Sequence, residues 1–228
     1  MGHLVLQGGA EFGGSMGASD RRALELAGGA DVPVSIIPAA AAPDNNHGRA
    51  GEIGRKWFQS LGAGNVEVLP LIDGQSANDA HVASTLAASG LIYLLGGFPG
   101  YLMQTLAGSE SWRAVTIALG AGAVLAGSSA GAMVLCNRFY DPHAHRVVKG
   151  LGLLQDICIL PHHDRFGIRW ASALQKALPR ATLVGIDEET AMINDAPRGL
   201  WRIYGPGGIT RYRSGRTERF TRGAVFDL

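Results

Sequence analysis

Short apolar runs alternate with longer amphipathic segments along most of the chain. Leu4–Leu6, Val32–Ile37, Val66–Leu69, Leu91–Leu95, Val124–Ala126, Ile157–Leu160 and Thr182–Ile186 are brief, and several are nearly continuous in Val, Ile and Leu. That pattern predicts strands covered on both faces, as parallel strands are beneath crossover helices. The segments between them, about 20–28, 48–62, 76–88, 100–120, 130–137 and 166–178, carry helical character. Ser76 with Asp79 predicts a capping-box-like start to the third, Asp standing in for the usual Glu or Gln. Strand and helix in this repeated order predict an α/β fold: a doubly wound, mostly parallel sheet with helices on both faces. After residue 190 the pattern shortens. Ala191–Asn194, Leu200–Tyr204, Thr210–Arg213 and Arg219–Thr221 are separated by Gly and Pro. They predict short antiparallel strands near the C-terminus, at the sheet edge or in a small hairpin layer. Neither a repeat nor a linker interrupts the pattern, so residues 1–228 read as a single α/β domain. Gly8–Gly17 and Asp141–Lys149 read as loops and as candidates for a mobile segment that completes a site.

Composition narrows the class. The chain has 228 residues, enough to bury a sizeable core. Hydrophobic residues make up 46% and charged residues 17%, which excludes a disordered chain. Net charge is +1, from 20 basic and 19 acidic side chains. That balance produces no whole-molecule field toward nucleic acid or a membrane surface, and leaves room only for a local charged patch. Cys136 and Cys158 sit in apolar runs and read as buried thiols, not as a disulfide framework. The opening MGHLVLQGGAEFGG lacks the basic and apolar regions of a signal peptide, and no apolar run reaches transmembrane length. The expectation is a cytoplasmic protein; a homodimer is compatible with it.

The sharpest chemical signal follows the fifth run. Val124-Leu125-Ala126 leads directly into Gly127-Ser128-Ser129-Ala130-Gly131, and a helical segment starts there. Gly-x-Ser-x-Gly between a strand and a helix is a nucleophile elbow, and its register fits Ser129 rather than Ser128. A tight turn lifts the hydroxyl above the sheet edge, and glycines at both flanks remove the Cβ atoms that would clash. The helix start offers backbone N–H groups to a developing oxyanion, with Ala130 N–H the natural donor.

A serine nucleophile needs a base within hydrogen-bond reach. Of the seven histidines, His162 and His163 alone follow an apolar strand, Ile157–Leu160, at the carboxyl end where open α/β sheets hold their sites. His143 and His145 form a His-x-His in a polar loop with only Asp141 nearby, which reads as solvated loop, so no metal and no cofactor is expected. The next strand ends in Asp187-Glu188-Glu189, where a carboxylate could orient the histidine. Gly96-Gly97 after Leu91–Leu95 could bring a second N–H to the reacting carbonyl. At this stage either histidine can be the base, and either Asp187 or Glu188 its partner.

Together these pieces resemble the serine peptidase family of dipeptidase E (α-aspartyl dipeptidase) and cyanophycinase. The likeness runs over most of the chain: Gly96-Gly97, the Gly127-Ser128-Ser129-Ala130-Gly131-Ala132 elbow, Gly150-Leu151-Gly152-Leu153-Leu154 leading to Leu160-Pro161-His162, and Gly185-Ile186-Asp187-Glu188-Glu189-Thr190-Ala191. The resemblance implies the fold shared with class I glutamine amidotransferases. It also implies roles: Ser129 as nucleophile, His162 as base, Glu188 as its orienter, and Gly97 with Ala130 as the oxyanion hole. The order Ser, His, Glu separates this reading from α/β-hydrolases. The implied activity is hydrolysis of small peptides through an acyl-enzyme, with an aspartyl dipeptidase (Asp-Xaa) first and a cyanophycinase-like enzyme on β-Asp-Arg second. A binding protein that keeps the fold is the other class, separable by a serine-reactive label. A carboxylate on the substrate calls for a cation, and Arg165 and Arg169, just after the base, are the candidates. Two stretches depart from the family: Phe98-Pro99-Gly100-Tyr101 replaces polar residues after Gly-Gly, and His163-Asp164-Arg165 stands where Phe is common. His163 is therefore a rival base.

Overall fold

A computed structural model describes residues 2–228. The strands are β1 (His3–Gln7), β2 (Pro33–Ile37), β3 (Asn65–Val68), β4 (Leu91–Leu94), β5 (Val124–Ser128), β6 (Arg138–Asp141), β7 (Arg146–Lys149), β8 (Ile157–Leu160), β9 (Thr182–Ile186), β10 (Ala191–Ile193), β11 (Trp201–Tyr204), β12 (Gly208–Arg213), β13 (Arg216–Thr221) and β14 (Val225–Phe226). The α-helices are α1 (Gly17–Ala27), α2 (His47–Ser60), α3 (Ala80–Ala87), α4 (Pro99–Leu106), α5 (Glu110–Ala121), α6 (Ala130–Val134) and α7 (Ala171–Ala177).

The main sheet runs β14-β11-β10-β1-β5-β4-β2-β3. Its five strands from β1 to β3 are parallel, and β10, β11 and β14 extend it antiparallel from the free side of β1. Residue alternation sends the side chains of β1, β2, β4 and β5 into two cores, whereas the edge strand β3 packs Val66 and Val68 on one side and exposes Asn65 and Glu67. Leu4, Leu6, Ile37, Ile92, Leu94 and Leu125 pack with residues of α3, α4 and α5. Val5, Val34, Ile36, Leu91, Tyr93 and Val124 pack with Ala23 and Leu24 of α1 and Phe58 of α2 on the other face. Burial on both faces is why these strands read as continuous apolar runs.

Several expectations need correction. β8 and β9 do not join the main sheet; they pair parallel with each other in a second sheet, β13-β12-β9-β8. The edges of β1 are taken by β5 and β10, and β8 and β9 lie in a separate layer over Cys158, Leu160, Leu183 and α7. The 100–120 segment is two helices. Gly108, at φ +71, breaks it, and the Ser109 hydroxyl caps α5 through the Trp112 N–H. The α3 cap is Asp79, which accepts from the His81 and Val82 N–H groups, whereas Ser76 closes a turn on Asp73. The 130–137 helix stops at Val134, and 166–178 opens with a 3₁₀ turn, Gly167–Trp170, before α7. Asp141–Lys149 is largely the β6–β7 hairpin. Both thiols are free and buried; burial holds Cys136 well above the ordinary range and pushes Cys158 up to about 12.

Candidate active site

Register sets the site. Gln7 lies beside Ser128 and Leu94 beside Gly127. The carboxyl ends of β1, β5 and β4 therefore open onto one place. β5 ends at Ser128, α6 starts at Ala130, and Ser129 between them has φ +47 and ψ −109. That backbone costs a serine about 1–3 kcal/mol and persists only where surroundings impose it. Here they do. A Cβ on Gly127 would stand 2.6 Å from the Gly131 carbonyl, and one on Gly131 would stand 2.3 Å from the Leu94 oxygen. The Ser129 N–H donates to Gln7 O at 3.0 Å, and Ser129 O accepts from Ala132 and Met133.

His162 arrives from the second sheet. It follows β8 and Pro161, takes φ +48, and donates its N–H to Gly8 O at 2.7 Å. The Ser129 hydroxyl lies 2.9 Å from His162 Nε2, and His162 Nδ1 lies 2.8 Å from Glu188 Oε1. The carboxylate accepts from Nδ1–H, which leaves Nε2 free to accept the serine proton. Phe166 stacks on the imidazole with centroids 4.8 Å apart. The Glu188 N–H donates to Asp164 Oδ1, and Glu188 Oε2 meets Arg165 Nε at 3.3 Å.

His163 points elsewhere. Its Nε2 pairs with the Tyr212 hydroxyl at 2.9 Å, and Nδ1 faces Asp187 Oδ1 at 3.7 Å. Asp187 Oδ2 accepts from Gly208 N–H and from Arg219, while Oδ1 has no hydrogen-bond partner. Burial holds the His163 imidazole below its ordinary value, with Asp187 pulling it up and Arg219 pulling it down. The structure thus brings His162 and Glu188 to Ser129, and leaves His163 and Asp187 behind them in the second sheet.

Gly97 follows β4 at φ +137, pressed so close to Ala40 that a Cβ would stand 2.2 Å from its carbonyl oxygen. Among the described residues, neither Gly97 N–H nor Ala130 N–H has an acceptor in the chain. A cavity of about 280 Å³ opens at Ser129, lined by Gly97, Pro99, Met133, Pro161, Phe166 and Trp170 among others. His143, stacked on Phe98 at 4.4 Å, also lines it. Arg165 is not among the residues lining the cavity; it is 67% exposed and tied to Glu188. Arg169 lines a neighbouring cavity instead, with Arg146, His145 and Tyr140, and Trp170 forms the wall common to both. No group of three or more potential metal-ligating side chains occurs among the described residues. No helix among them is long and apolar enough to cross a membrane.

Three features escaped the sequence reading. Phe166 and Trp170 supply the cavity's aromatic wall. Glu11, in the loop after β1, accepts from the Ser128 hydroxyl at 2.7 Å and the Gly96 N–H at 3.1 Å. Beneath the site, Gln7 links Tyr93, whose hydroxyl donates to it, to the Asp20 carboxylate, which also accepts from Trp57 Nε1. Burial pushes Asp20 up to about 6, against the pull of the Trp57, Gln7 and Ser19 hydrogen bonds. A glutamine ending an otherwise apolar strand and an acid in a Gly-rich loop were the available signals.

Comparison with known proteins agrees with this architecture. Cyanophycinases of Trichormus variabilis and Nostoc sp. are each 27% identical over 196 residues, covering 81% of this chain. The chain spans 64% of the length of those relatives. The crystal structure of a peptidase from an acI-B1 Actinobacterium superposes with a TM-score of 0.89 at 26% identity, covering 100% of this chain and 97% of that one. A Listeria monocytogenes EGD-e protein provisionally named a peptidase E shares the fold, with a TM-score of 0.63 at 20% identity over 97% and 98% of the two chains. The model of peptidase family S51 matches residues 4–196, and the chain belongs to that family.

Proposed function

We propose that the protein is a serine peptidase that hydrolyses small peptides through an acyl-enzyme on Ser129. One observation carries the reading: a continuous hydrogen-bonded chain from Ser129 Oγ through His162 to Glu188, on a strained strand-to-helix turn. His162 Nε2 takes the hydroxyl proton as Oγ attacks the peptide carbonyl, and Glu188 stabilises the imidazolium that forms. The carbonyl oxygen becomes an oxyanion held by the Gly97 and Ala130 N–H groups. His162 then protonates the leaving amine as the C–N bond breaks. Water, deprotonated by the same imidazole, attacks the ester and releases the acid.

The substrate reading is an Asp-Xaa dipeptide. Arg165, exposed beside Glu188, and the Arg169–Arg146 cavity beyond Trp170 support a substrate that carries carboxylates, since a guanidinium binds them bidentately. A β-Asp-Arg substrate is the second reading, favoured by the likeness to the cyanophycinases of Trichormus variabilis and Nostoc sp.. The two buried free thiols fit a reducing compartment, and we place the enzyme in the cytoplasm. Asp-Xaa dipeptides, β-Asp-Arg and longer peptides, assayed side by side, test the specificity. Ser129-dependent release from Asp-Xaa alone is the expected result. Release from β-Asp-Arg alone selects the second reading, and no adduct of a fluorophosphonate at Ser129 with no turnover of any peptide sinks the peptidase proposal.

A further inference from the structure

The loop between β1 and α1 touches His162 and the residues adjacent to Ser129, Gly97 and Glu188. Gly8 O holds the His162 N–H. Gly9, at φ +114, lies flat on the imidazole, so that a Cβ there would stand 2.1 Å from His162 Cε1. Gly9 O accepts from the Glu189 N–H, one residue beyond Glu188, and Ser15 N–H reaches the Glu189 carboxylate at 3.3 Å. Phe12 anchors the loop in the core, 4.9 Å from the Tyr93 ring and 6.1 Å from Phe58.

Glu11 is the one charged side chain of this loop, and both its oxygens are used on the serine side. Oε2 accepts from the Ser128 hydroxyl, fully buried at the end of β5, and Oε1 accepts from Gly96 N–H at the end of β4. Ser128 precedes the nucleophile, and Gly96 precedes the proposed oxyanion donor. A Cβ on Gly96 would sit 2.8 Å from Glu11 Oε1 and 3.4 Å from Ser129 Cβ, so carboxylate, glycine loop and elbow are in mutual contact. Ionised acceptors make the shorter and stronger class of hydrogen bond. We propose that Glu11 is a positioning residue: it ties the Gly96-Gly97 turn to the Ser128-Ser129 elbow and so sets where the Gly97 N–H points relative to the attacking hydroxyl. Glu11 itself has no part in proton transfer. This rests on the acyl-enzyme reading above.

The test compares Glu11→Ala with Glu11→Gln. A Gln amide keeps both links, its oxygen accepting from Gly96 and its NH₂ donating to a reversed Ser128 hydroxyl; alanine keeps neither. Loss of aim at an oxyanion donor predicts a kcat fall of roughly a hundredfold in Glu11→Ala with KM nearly unchanged. Affinity for a peptide boronate, which forms a tetrahedral adduct on Ser129, should fall in parallel, while product binding stays as in wild type. Glu11→Gln should recover most of the rate. If Glu11→Ala does not fold, Ser128→Ala cuts one link, and its kcat and boronate affinity should fall together by about tenfold. Equal kcat in the folded variant and wild type refutes the proposal. So does a lower kcat with unchanged boronate affinity, which marks a merely structural role. Failure of the wild-type enzyme to bind the boronate at Ser129 overturns the acyl-enzyme reading instead.

Discussion

Two histidine–carboxylate pairs leave the same two strand ends one residue apart and meet opposite environments. His162 and Glu188 are 19% and 26% exposed, 2.8 Å apart, with a serine hydroxyl on the far side of the ring. His163 and Asp187 are 3% and 4% exposed, 3.7 Å apart, with a tyrosine hydroxyl on the far side. The residue types are nearly the same. What differs is the face of the second sheet each pair takes, and hence access to substrate. The inner pair is packed like core: the His163 ring lies so close on Gly185 that a Cβ there would stand 2.2 Å from Cδ2. The outer pair is partly exposed, and His162 lines the cavity at Ser129. Chemistry should follow the outer pair, and stability the inner one.

The largest effect should come from the outer set. Ser129→Ala and His162→Ala should each lower kcat by about 10⁴-fold or more, and the double variant should be little worse, because the residues act as a unit. Steady-state assays decide it; an active Ser129→Ala would break the comparison at once. Next come the carboxylates. Glu188→Gln should cost roughly 10²- to 10⁴-fold in kcat with little change in Tm. Asp187→Asn should leave kcat within a few-fold but cost about 1–2 kcal/mol of stability, since one amide oxygen must replace the acceptor shared by Gly208 and Arg219. If the two variants exchange phenotypes, the inner pair is the catalytic one.

Gly185→Ala sharpens the contrast further. The new methyl group must displace the His163 ring, so a lower Tm by several degrees is expected, with KM and kcat changed far less. The smallest effect is a pH slope. Burial favours the neutral His163 imidazole in the folded state, below its ordinary 6.5. Below pH 6.5 the unfolded chain therefore binds this proton first. The stability His163 contributes is complete above pH 6.5 and is lost as pH falls through its lower folded value. Asp187, Arg219, Tyr212 and Asp164 are the charged or titratable groups that face it. Replacing His163 by Gln should flatten the fall of Tm on the acid side, while an unchanged slope would assign that fall to other groups.

Local pattern alone carried a good part of this molecule. Four of the five parallel strands were legible because burial on both faces demands nearly continuous apolar runs, the fifth, β3, because its valines alternate with exposed Asn65 and Glu67, and the elbow was legible because a serine on a strained turn requires small residues at fixed offsets. The roles implied for Ser129, His162 and Glu188 rested on such local motifs and on family resemblance. Tertiary structure alone decided the rest. That β10, and not β8 or β9, pairs with β1, while β8 and β9 form their own sheet, was set by pairings between residues nearly the whole chain apart. Which of two adjacent histidines meets the serine depended on a positive φ at His162 and on the sheet face that follows from it. Glu11 could not be placed either: its partners lie 85 and 117 residues away, and only packing brings those strand ends together. Spacing along the chain fixes faces and turns within an element, but contacts between elements are chosen by competition for the same buried edges, and that competition is settled only in the folded molecule.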